Sequence, residues 1–197
     1  MLDHIHLGGP GDRSSVPLPP LRRSGPHSRR LRDFVLFVSL IFLVVFLDQA
    51  SKLWIVGNFT LYESLPVIPG LFSLTYLTNT GAAFGLLAGE QGVWRQIFFV
   101  GVAVVALTAI VFLYRKLRSV SAWYVIALGL IAGGAIGNLI DRVRLGSVID
   151  FLDLYLGTRH WPAFNIADSA ITVGVAIFLI MNLFFDKSAG SGSSPNR

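Results

Sequence analysis

The chain has 197 residues, of which 53% are hydrophobic and only 14% are charged, and its mean hydropathy is +0.65. Soluble domains carry roughly 25% charged residues, so this chain has about half the charge that a water-exposed surface of its size requires. The composition therefore excludes a water-soluble globule and predicts a large lipid-facing surface. The absence of cysteine excludes a disulfide framework and a cysteine nucleophile.

The first 33 residues are basic and rich in proline, and they hold six of the 16 Lys and Arg residues. This composition predicts a disordered arm over residues 1–33, whose charge is attracted to membrane lipid and which is not expected to bind nucleic acid. A second basic cluster, Arg115, Lys116 and Arg118, lies between two apolar runs, whereas residues 57–94 contain neither Lys nor Arg. By the positive-inside rule, the arm and the cluster lie in the cytoplasm.

Four apolar segments reach the length of roughly 17 to 25 residues that a bilayer span requires. They are Phe34 to Val56, Arg95 to Tyr114, Ala122 to Ile140 and Asp168 to Phe185. We therefore expect an all-α polytopic membrane protein with four transmembrane helices, both termini cytoplasmic, and a flexible cytoplasmic tail over residues 187–197. The connections 57–94 and 141–167 then face outside. Within the first, residues 65–78 alternate apolar and polar side chains around a Pro-Gly turn, which predicts short strands.

Two ionisable residues lie inside the first span, where charge is expensive and usually functional. Asp48 lies 14 residues beyond Phe34, or roughly 21 Å at about 1.5 Å per residue. This depth is the outer half of an apolar core about 30 Å thick. Lys52 lies one turn further along, so the two side chains share a helix face and could form an ion pair that only fixes packing.

Other acids are expected in the same outer layer. Asp141 and Arg142, which could form an end-of-helix pair, close the third span, and Asp168 opens the fourth. Asp150 lies in the connection between them among apolar residues, which raise the pKa of a carboxyl. A helix N-terminus, as at Asp168, favours negative charge, although Asn165 or Asp168 could simply cap the helix. Two such carboxyls can share a proton, with the ionised one activating water and the protonated one polarising a carbonyl.

Other chemistries lack the residues that they need. His4, His6 and His27 lie in the inner arm and His160 lies outside, so they cannot form one zinc site across the membrane. We expect no metal and no cofactor. No serine-nucleophile motif surrounds any outer serine. The Gly-rich segment 129–138 has the small-residue spacing of close helix packing rather than of a phosphate loop.

Five short blocks carry most of the polar residues of the apolar region. In chain order they are DQASK (Asp48 to Lys52), TNTGAAFG (Thr78 to Gly85), GGAIGNLIDR (Gly133 to Arg142), VIDFLD (Val148 to Asp153) and PAFNIADSA (Pro162 to Ala170). Together they resemble the motif blocks of the bacterial lipoprotein signal peptidase, signal peptidase II. The resemblance implies a four-helix membrane peptidase domain over residues 34–186, with a small extracytoplasmic β-cradle and an amphipathic piece in the first outer connection.

The resemblance also implies an activity and its residues. The family comprises aspartyl endopeptidases that remove the signal peptide from diacylglyceryl-modified prolipoproteins, cutting just before the lipidated cysteine. This implies a location in the bacterial cytoplasmic (inner) membrane, with the active site at the outer, periplasmic leaflet; we expect a monomer. By position, the catalytic pair falls on Asp150 and Asp168. The substrate-binding or supporting positions are Asp48, Lys52, Asn79, Asn138, Asp141, Arg142 and Asn165.

Two other classes of protein remain as alternatives. A small proton- or cation-coupled carrier would use the buried acids as a relay. It predicts carboxylates through the whole thickness of the membrane, whereas the predicted inner halves of the spans have none. A structural four-helix adaptor would leave the outer Asp and Asn residues dispensable. If the chain is instead a peptidase, amide side chains such as Asn79, Asn138 and Asn165 are suited to bind an extended substrate backbone.

Overall fold

The computed structural model describes the backbone of residues 26–81 and 93–190, and side chains within 28–81 and 93–183. In this part of the chain the elements are α1 Pro26–Asn58, β1 Ser64–Ile68, β2 Phe72–Asn79, α2 Val93–Leu117, α3 Ala122–Leu145, β3 Val148–Leu156, β4 Arg159–His160 and α4 Ile166–Gly190. Outside the described residues lie 1–25 of the predicted arm and 191–197 of the predicted tail. Residues 82–92 also lie outside, with the end of the second motif block and the amphipathic piece expected there.

All four helices are long and apolar enough to cross a membrane, which confirms the four predicted spans. Their outward surfaces carry large exposed apolar side chains, among them Phe42, Phe112 and Leu183, and a surface of this kind is stable against lipid rather than water. The helices extend beyond the apolar runs at both ends of the chain. Residues 26–33, which we assigned to the arm, form the first turns of α1, and residues 187–190 of the tail continue α4.

The central helix of the bundle is α3, which packs against α1, α2 and α4. A Cβ atom added at Gly133 would lie 2.7 Å from Val44 Cβ on α1, and one added at Gly134 would overlap the carbonyl oxygen of Ala167 on α4. Any larger residue would force these helices apart. The glycines of α3 therefore serve close helix packing, as their spacing predicts.

An antiparallel sheet in the order β1-β2-β3-β4 lies beside the helices. The hairpin of β1 and β2 turns at Gly70, whose φ of +83° favours glycine, and it confirms the strands expected between residues 65 and 78. Strand β3 lies in the connection between α3 and α4, where no strand was predicted from the sequence. It pairs with β2 in a register that sets Asn79 opposite Val148 and Leu77 opposite Asp150.

Apolar packing joins this sheet to the helices. Ile55 and Phe59, at the C-terminal end of α1 and just beyond it, are buried against Phe151 of β3. Only two residues, Gly146 and Ser147, separate α3 from β3, so the strand begins beside the end of that helix. The C-terminal ends of α1 and α3, the N-terminus of α4 and the start of β3 consequently meet in one place.

Candidate active site

The end of α3 sets the position of the first site residues. Gly146 adopts a φ of +71° and its N–H donates to the carbonyl oxygen of Arg142 over 3.0 Å, which is the usual glycine stop signal of a helix. The chain then turns directly into β3. As a result, the backbone N–H of Ile149 donates to Oδ2 of Asp141 over 3.2 Å, so the C-terminal part of α3 holds the start of the strand.

The N-terminus of α4 is capped by two residues that bond to each other. The side-chain oxygen of Asn165 accepts the backbone N–H of Asp168 at 2.9 Å, and the carboxylate of Asp168 accepts the backbone N–H of Asn165 at 3.3 Å. This reciprocal arrangement follows the logic of a capping box, since each side chain satisfies a free N–H of the first turn. Asn138 Nδ2 also donates to Asp168 over 2.7 Å, which links α3 to this cap.

A buried ionic cluster joins α1 to α3. Lys52 Nζ lies 2.8 Å from Oδ2 of Asp48 and 2.8 Å from Oδ2 of Asp141, and all three side chains are almost fully buried. It also donates to the side-chain oxygen of Asn138 over 3.1 Å. The other oxygen of Asp48 accepts the backbone N–H of Ala167 at 3.0 Å. One ammonium group therefore holds carboxylates from two helices, and one of those carboxylates also holds α4.

Asp150 is bound by two amide side chains. Asn165 Nδ2 donates to Oδ1 over 2.8 Å, and Asn79 Nδ2 donates to Oδ2 over 3.1 Å. The β2–β3 register explains the second contact. Leu77 lies opposite Asp150, and Asn79 lies two residues further along β2 and so on the same face of the sheet.

Burial raises the pKa of Asp150 from 3.8 to about 7, and the negative charge of Asp168 adds to this rise. The hydrogen bonds from Asn79 and Asn165, with the charge of Lys52, act in the opposite direction. Asp150 is only 3% exposed, so the desolvation of its charged form dominates. At neutral pH this carboxyl can therefore hold a proton.

Asp150 and Asp168 line the same cavity, whose volume is about 900 Å³. Asn79, Asn138 and Arg142 line it as well. Its other walls are mostly apolar and include residues of β2, β3 and α4 and the segment just before α4. A pocket with apolar walls and a few convergent polar groups is typical of a binding site for a partly apolar molecule.

The position of Arg142 in this cavity is set by α2. Its guanidinium lies over the ring of Phe99, 4.8 Å from the ring centre, and Gln96 Nε2 donates to its carbonyl oxygen over 3.0 Å. The negative charges of Asp168 and Asp150 act on this guanidinium electrostatically. Arg142 thus provides positive charge beside the carboxyl pair.

The nine residues singled out from the sequence lie together at this end of the bundle, but two of the expected contacts differ. Asp141 makes its ion pair with Lys52, and not with Arg142 as we expected for the end of a helix. The reason is that Asp141 faces α1, while the guanidinium of Arg142 packs on α2. Asn165, which we considered for binding substrate, is fully buried and uses its amide on Asn138, Ile149 and Asp150.

One residue of the cluster was not predicted from the sequence. Gln49 Nε2 lies within hydrogen-bond distance of Asp48, Asp141 and the carbonyl oxygen of Gly137. Its position in the first motif block could have indicated this role, because a polar side chain inside an apolar span needs hydrogen-bond partners.

Within residues 28–81 and 93–183, no three His, Cys, Asp or Glu residues are grouped so that they could hold a metal ion.

The fold and the site define a polytopic membrane protein with a pair of carboxyls in a cavity at one end of its helices. A family model described as Signal peptidase (SPase) II matches residues 40–185. The chain is 49% identical to a lipoprotein signal peptidase of Syntrophus aciditrophicus (strain SB), over 77% of this chain and 94% of that protein. It is 54% identical to one of Geobacter sulfurreducens, over 74% of this chain and 89% of that protein.

Solved structures are similar to this fold as well. A bacterial membrane enzyme determined by the in meso method at 2.3 Å resolution matches with a TM-score of 0.69 and 33% identity, over 81% of this chain and 94% of that one. A second, at 1.9 Å, matches with a TM-score of 0.63 and 34% identity, over 75% and 92% of the two chains. The chain belongs to the signal peptidase II family and is therefore a peptidase. This membership does not support the carrier alternative.

Proposed function

We propose that this chain is an aspartyl endopeptidase that removes the signal peptide from diacylglyceryl-modified prolipoproteins, cutting just before the lipidated cysteine. In this proposal Asp150 and Asp168 are the catalytic pair. The observation that carries it is that both carboxyls line one cavity and both are bound by Asn165. The family supports signal-peptide removal, and the apolar walls of the cavity suit a substrate that is itself held in the membrane.

The two carboxyls have different surroundings, which suggests that one acts as the acid and the other as the base. Asp150, with a pKa of about 7, carries the proton and donates it in a hydrogen bond to the scissile carbonyl. Asp168 accepts hydrogen bonds from Asn138 and from the N-terminus of α4, where negative charge is favoured, and it removes a proton from the attacking water. That proton then passes to the leaving nitrogen as the peptide bond breaks.

The remaining residues support this pair in distinct ways. Asn79, Asn138 and Asn165 orient the two carboxyls through their amide donors. Asp48, Lys52 and Asp141 hold α1, α3 and α4 together beneath them. Arg142 offers positive charge inside the cavity, where it can bind a substrate carbonyl oxygen or offset the charge of the pair. Every group in this scheme comes from one chain, so we propose that a monomer is active and that no cofactor takes part.

The charge distribution supports one orientation in the bacterial inner membrane. By the positive-inside rule, the basic residues of the arm, 1–33, and those at the end of α2 support a cytoplasmic location for both termini, including the tail 187–197. The peptidase domain, 34–186, then has its site at the outer, periplasmic leaflet. Because the chain has no cysteine, single cysteines can test this: an impermeant thiol reagent should label Thr158→Cys in intact cells and leave Ser119→Cys unlabelled. The reverse labelling would overturn the orientation.

The proposed chemistry is tested by cleavage of a diacylglyceryl-modified prolipoprotein in detergent. Asp150→Asn and Asp168→Asn should each lower turnover by about 100- to 10,000-fold, the range for loss of a general acid or base. Asp153→Asn is the matched control, since this carboxyl lies on the same strand but pairs with the exposed His160 at 3.0 Å, and it should keep wild-type turnover. Near wild-type cleavage by either of the first two variants would refute the assignment of the pair.

A further inference from the structure

Gln49 lies between the two carboxylates of the buried cluster. Its Nε2 is 2.9 Å from Oδ1 of Asp141, 3.1 Å from Oδ2 of Asp48 and 3.2 Å from the carbonyl oxygen of Gly137. A primary amide has two hydrogens to donate, so these three acceptors share them, and the shortest contact is the one to Asp141. The side chain crosses from α1 to α3 at the level of the proposed active site.

Two carboxyls of the buried cluster share one ammonium group, so their oxygens need further donors. Lys52 carries one positive charge and contacts two carboxylates, those of Asp48 and Asp141. Nζ approaches Oδ2 of each, which leaves Oδ1 of Asp141 to the amide of Gln49. Removing a partner from a buried carboxylate leaves part of its charge unsolvated. Gln49 therefore fixes the orientation of Asp141 by holding the oxygen that Lys52 does not contact.

Asp141 in turn holds the strand that carries Asp150. Its Oδ2 accepts the backbone N–H of Ile149 at 3.2 Å, and the carbonyl oxygen of Ile149 accepts Asn165 Nδ2, also at 3.2 Å. The peptide groups on both sides of Ile149 are thus bound to side chains of the helical part of the molecule. Asp150 is the next residue, so its position over the cavity depends on where Asp141 points.

We propose that Gln49 is a positioning residue for Asp150, acting through Asp141 and the backbone of Ile149. The inference rests on the peptidase function proposed above, in which Asp150 is catalytic. Gln49 does not line the cavity, so it acts on the geometry of the carboxyl pair and not on the substrate. Its loss therefore lowers kcat and leaves KM nearly unchanged.

The test uses the full chain in detergent and a diacylglyceryl-modified prolipoprotein, with kcat and KM measured across pH. Gln49→Met keeps the length of the side chain and removes its donors; it should lower kcat by about 10- to 100-fold, the range for a misplaced catalytic group. Asp150 becomes more hydrated when the strand loosens, so the basic limb of the pH profile should move to lower pH. Ser51→Ala is the matched control, because among the described residues Ser51 bonds only to the carbonyl oxygen of Asp48 in its own helix. It should keep the wild-type profile.

Gln49→Glu gives a second and independent readout. When ionised, this glutamate adds a third carboxylate beside Asp48 and Asp141; when protonated, it can donate one hydrogen bond. Its activity relative to wild type should accordingly recover as the pH falls. Because an ionised carboxylate here also destabilises the fold, kcat is compared per folded protein at each pH. A recovery that remains on this basis reports the position of Asp150 and not the stability of the chain.

Two results would overturn the inference. The first is a wild-type kcat and a wild-type pH profile for Gln49→Met. The second is a fall in kcat that only matches the loss of folded protein in a thermal melt. In that case the pH profile does not change, and the activity of Gln49→Glu does not recover at low pH. Neither result bears on the catalytic pair if Asp150→Asn is inactive in the same assay. If Asp150→Asn cleaves normally, the proposed function itself fails, whatever Gln49 does.

Discussion

The side-chain amide of Asn165 donates to the carboxyl of Asp150 over 2.8 Å. The side-chain oxygen of Asn165 also caps α4 by accepting the backbone N–H of Asp168. One side chain therefore fixes the position of Asp150 relative to Asp168, the two residues that we propose as the catalytic pair. Asn165 is fully buried and cannot reorient without losing several hydrogen bonds at once. The geometry of the pair is therefore set within the folded protein before any substrate binds.

Substitutions of Asn165 should separate its two roles. Serine can cap a helix but is too short to reach Asp150, whereas alanine can do neither. We expect both Asn165→Ser and Asn165→Ala to lower kcat by about 10- to 100-fold, as for loss of a hydrogen bond to an ionisable group. The alanine variant should also be less stable by about 1 kcal/mol, because only it loses the cap. Thermal melts and cleavage assays check this, and equal stability of the two variants would contradict the assigned cap.

The basic limb of the pH profile should report on Asp150. Burial and the charge of Asp168 raise its pKa to about 7, and the hydrogen bond from Asn79 limits that rise. Because the proposed mechanism needs the protonated form, activity should fall as the pH rises through about 7, with apparent values that belong to the coupled pair. Asn79→Ala should move this limb to higher pH. Asn58→Ala, which removes an exposed amide that bonds to Trp54, should leave it unchanged; a common shift in both variants would refute the assignment.

The raised pKa of Asp150 also predicts how stability depends on pH. Between its ordinary value of 3.8 and about 7, the folded chain binds a proton here that the unfolded chain has lost. The free energy of unfolding should therefore decrease as the pH rises through this interval. The side chain of Asp150→Asn stays neutral throughout. The melting temperature of this variant minus that of the wild type should therefore increase from pH 4 to pH 7, roughly the interval in which a carboxyl with this shift titrates. Parallel melting curves over this range would contradict a buried, protonated Asp150.

The sequence predicted the spans well because a long apolar run has few stable alternatives to a membrane helix. Strand β3 was harder to predict. Val148, Ile149 and Phe151 are all buried, so β3 lacks the alternation that marks β2. Its partner β2 also lies far away in the chain, and a pairing between such distant segments leaves no local signal.

In the site, the depth of each residue was predictable from the sequence, but its contacts with other helices were not. Depth along the helices was enough to bring Asp48, Lys52 and Asp141 to one layer. The pairing of Lys52 with Asp141 depends on how α1 and α3 are rotated against each other, and residue spacing within one helix says nothing about that rotation. Gln49 was missed for a related reason, because an uncharged amide signals its role only when its partners on another helix are known.

Gly137 sets how closely α3 can approach the ionic cluster. A Cβ atom at this position would lie 2.6 Å from Oδ2 of Asp48, an oxygen that Lys52 already holds at 2.8 Å. The carboxylate cannot move aside without breaking that contact or the one to Ala167. Gly137→Ala should therefore destabilise the fold by about 1–3 kcal/mol, the range for overpacking, and lower kcat as well.

Gly101→Ala is the matched control for this substitution. Gly101 also lies within a membrane helix, α2, but a Cβ atom there would have no atom of residues 26–81 or 93–190 within 4 Å. Since alanine is favoured over glycine inside a helix by roughly 0.5–1 kcal/mol, this variant should be at least as stable as the wild type and equally active. Melting temperatures and kcat of the two variants, measured side by side, separate a local clash from a general intolerance of side chains. If Gly137→Ala matched Gly101→Ala in both measurements, the close packing of α3 on Asp48 would not be needed for the fold or the site.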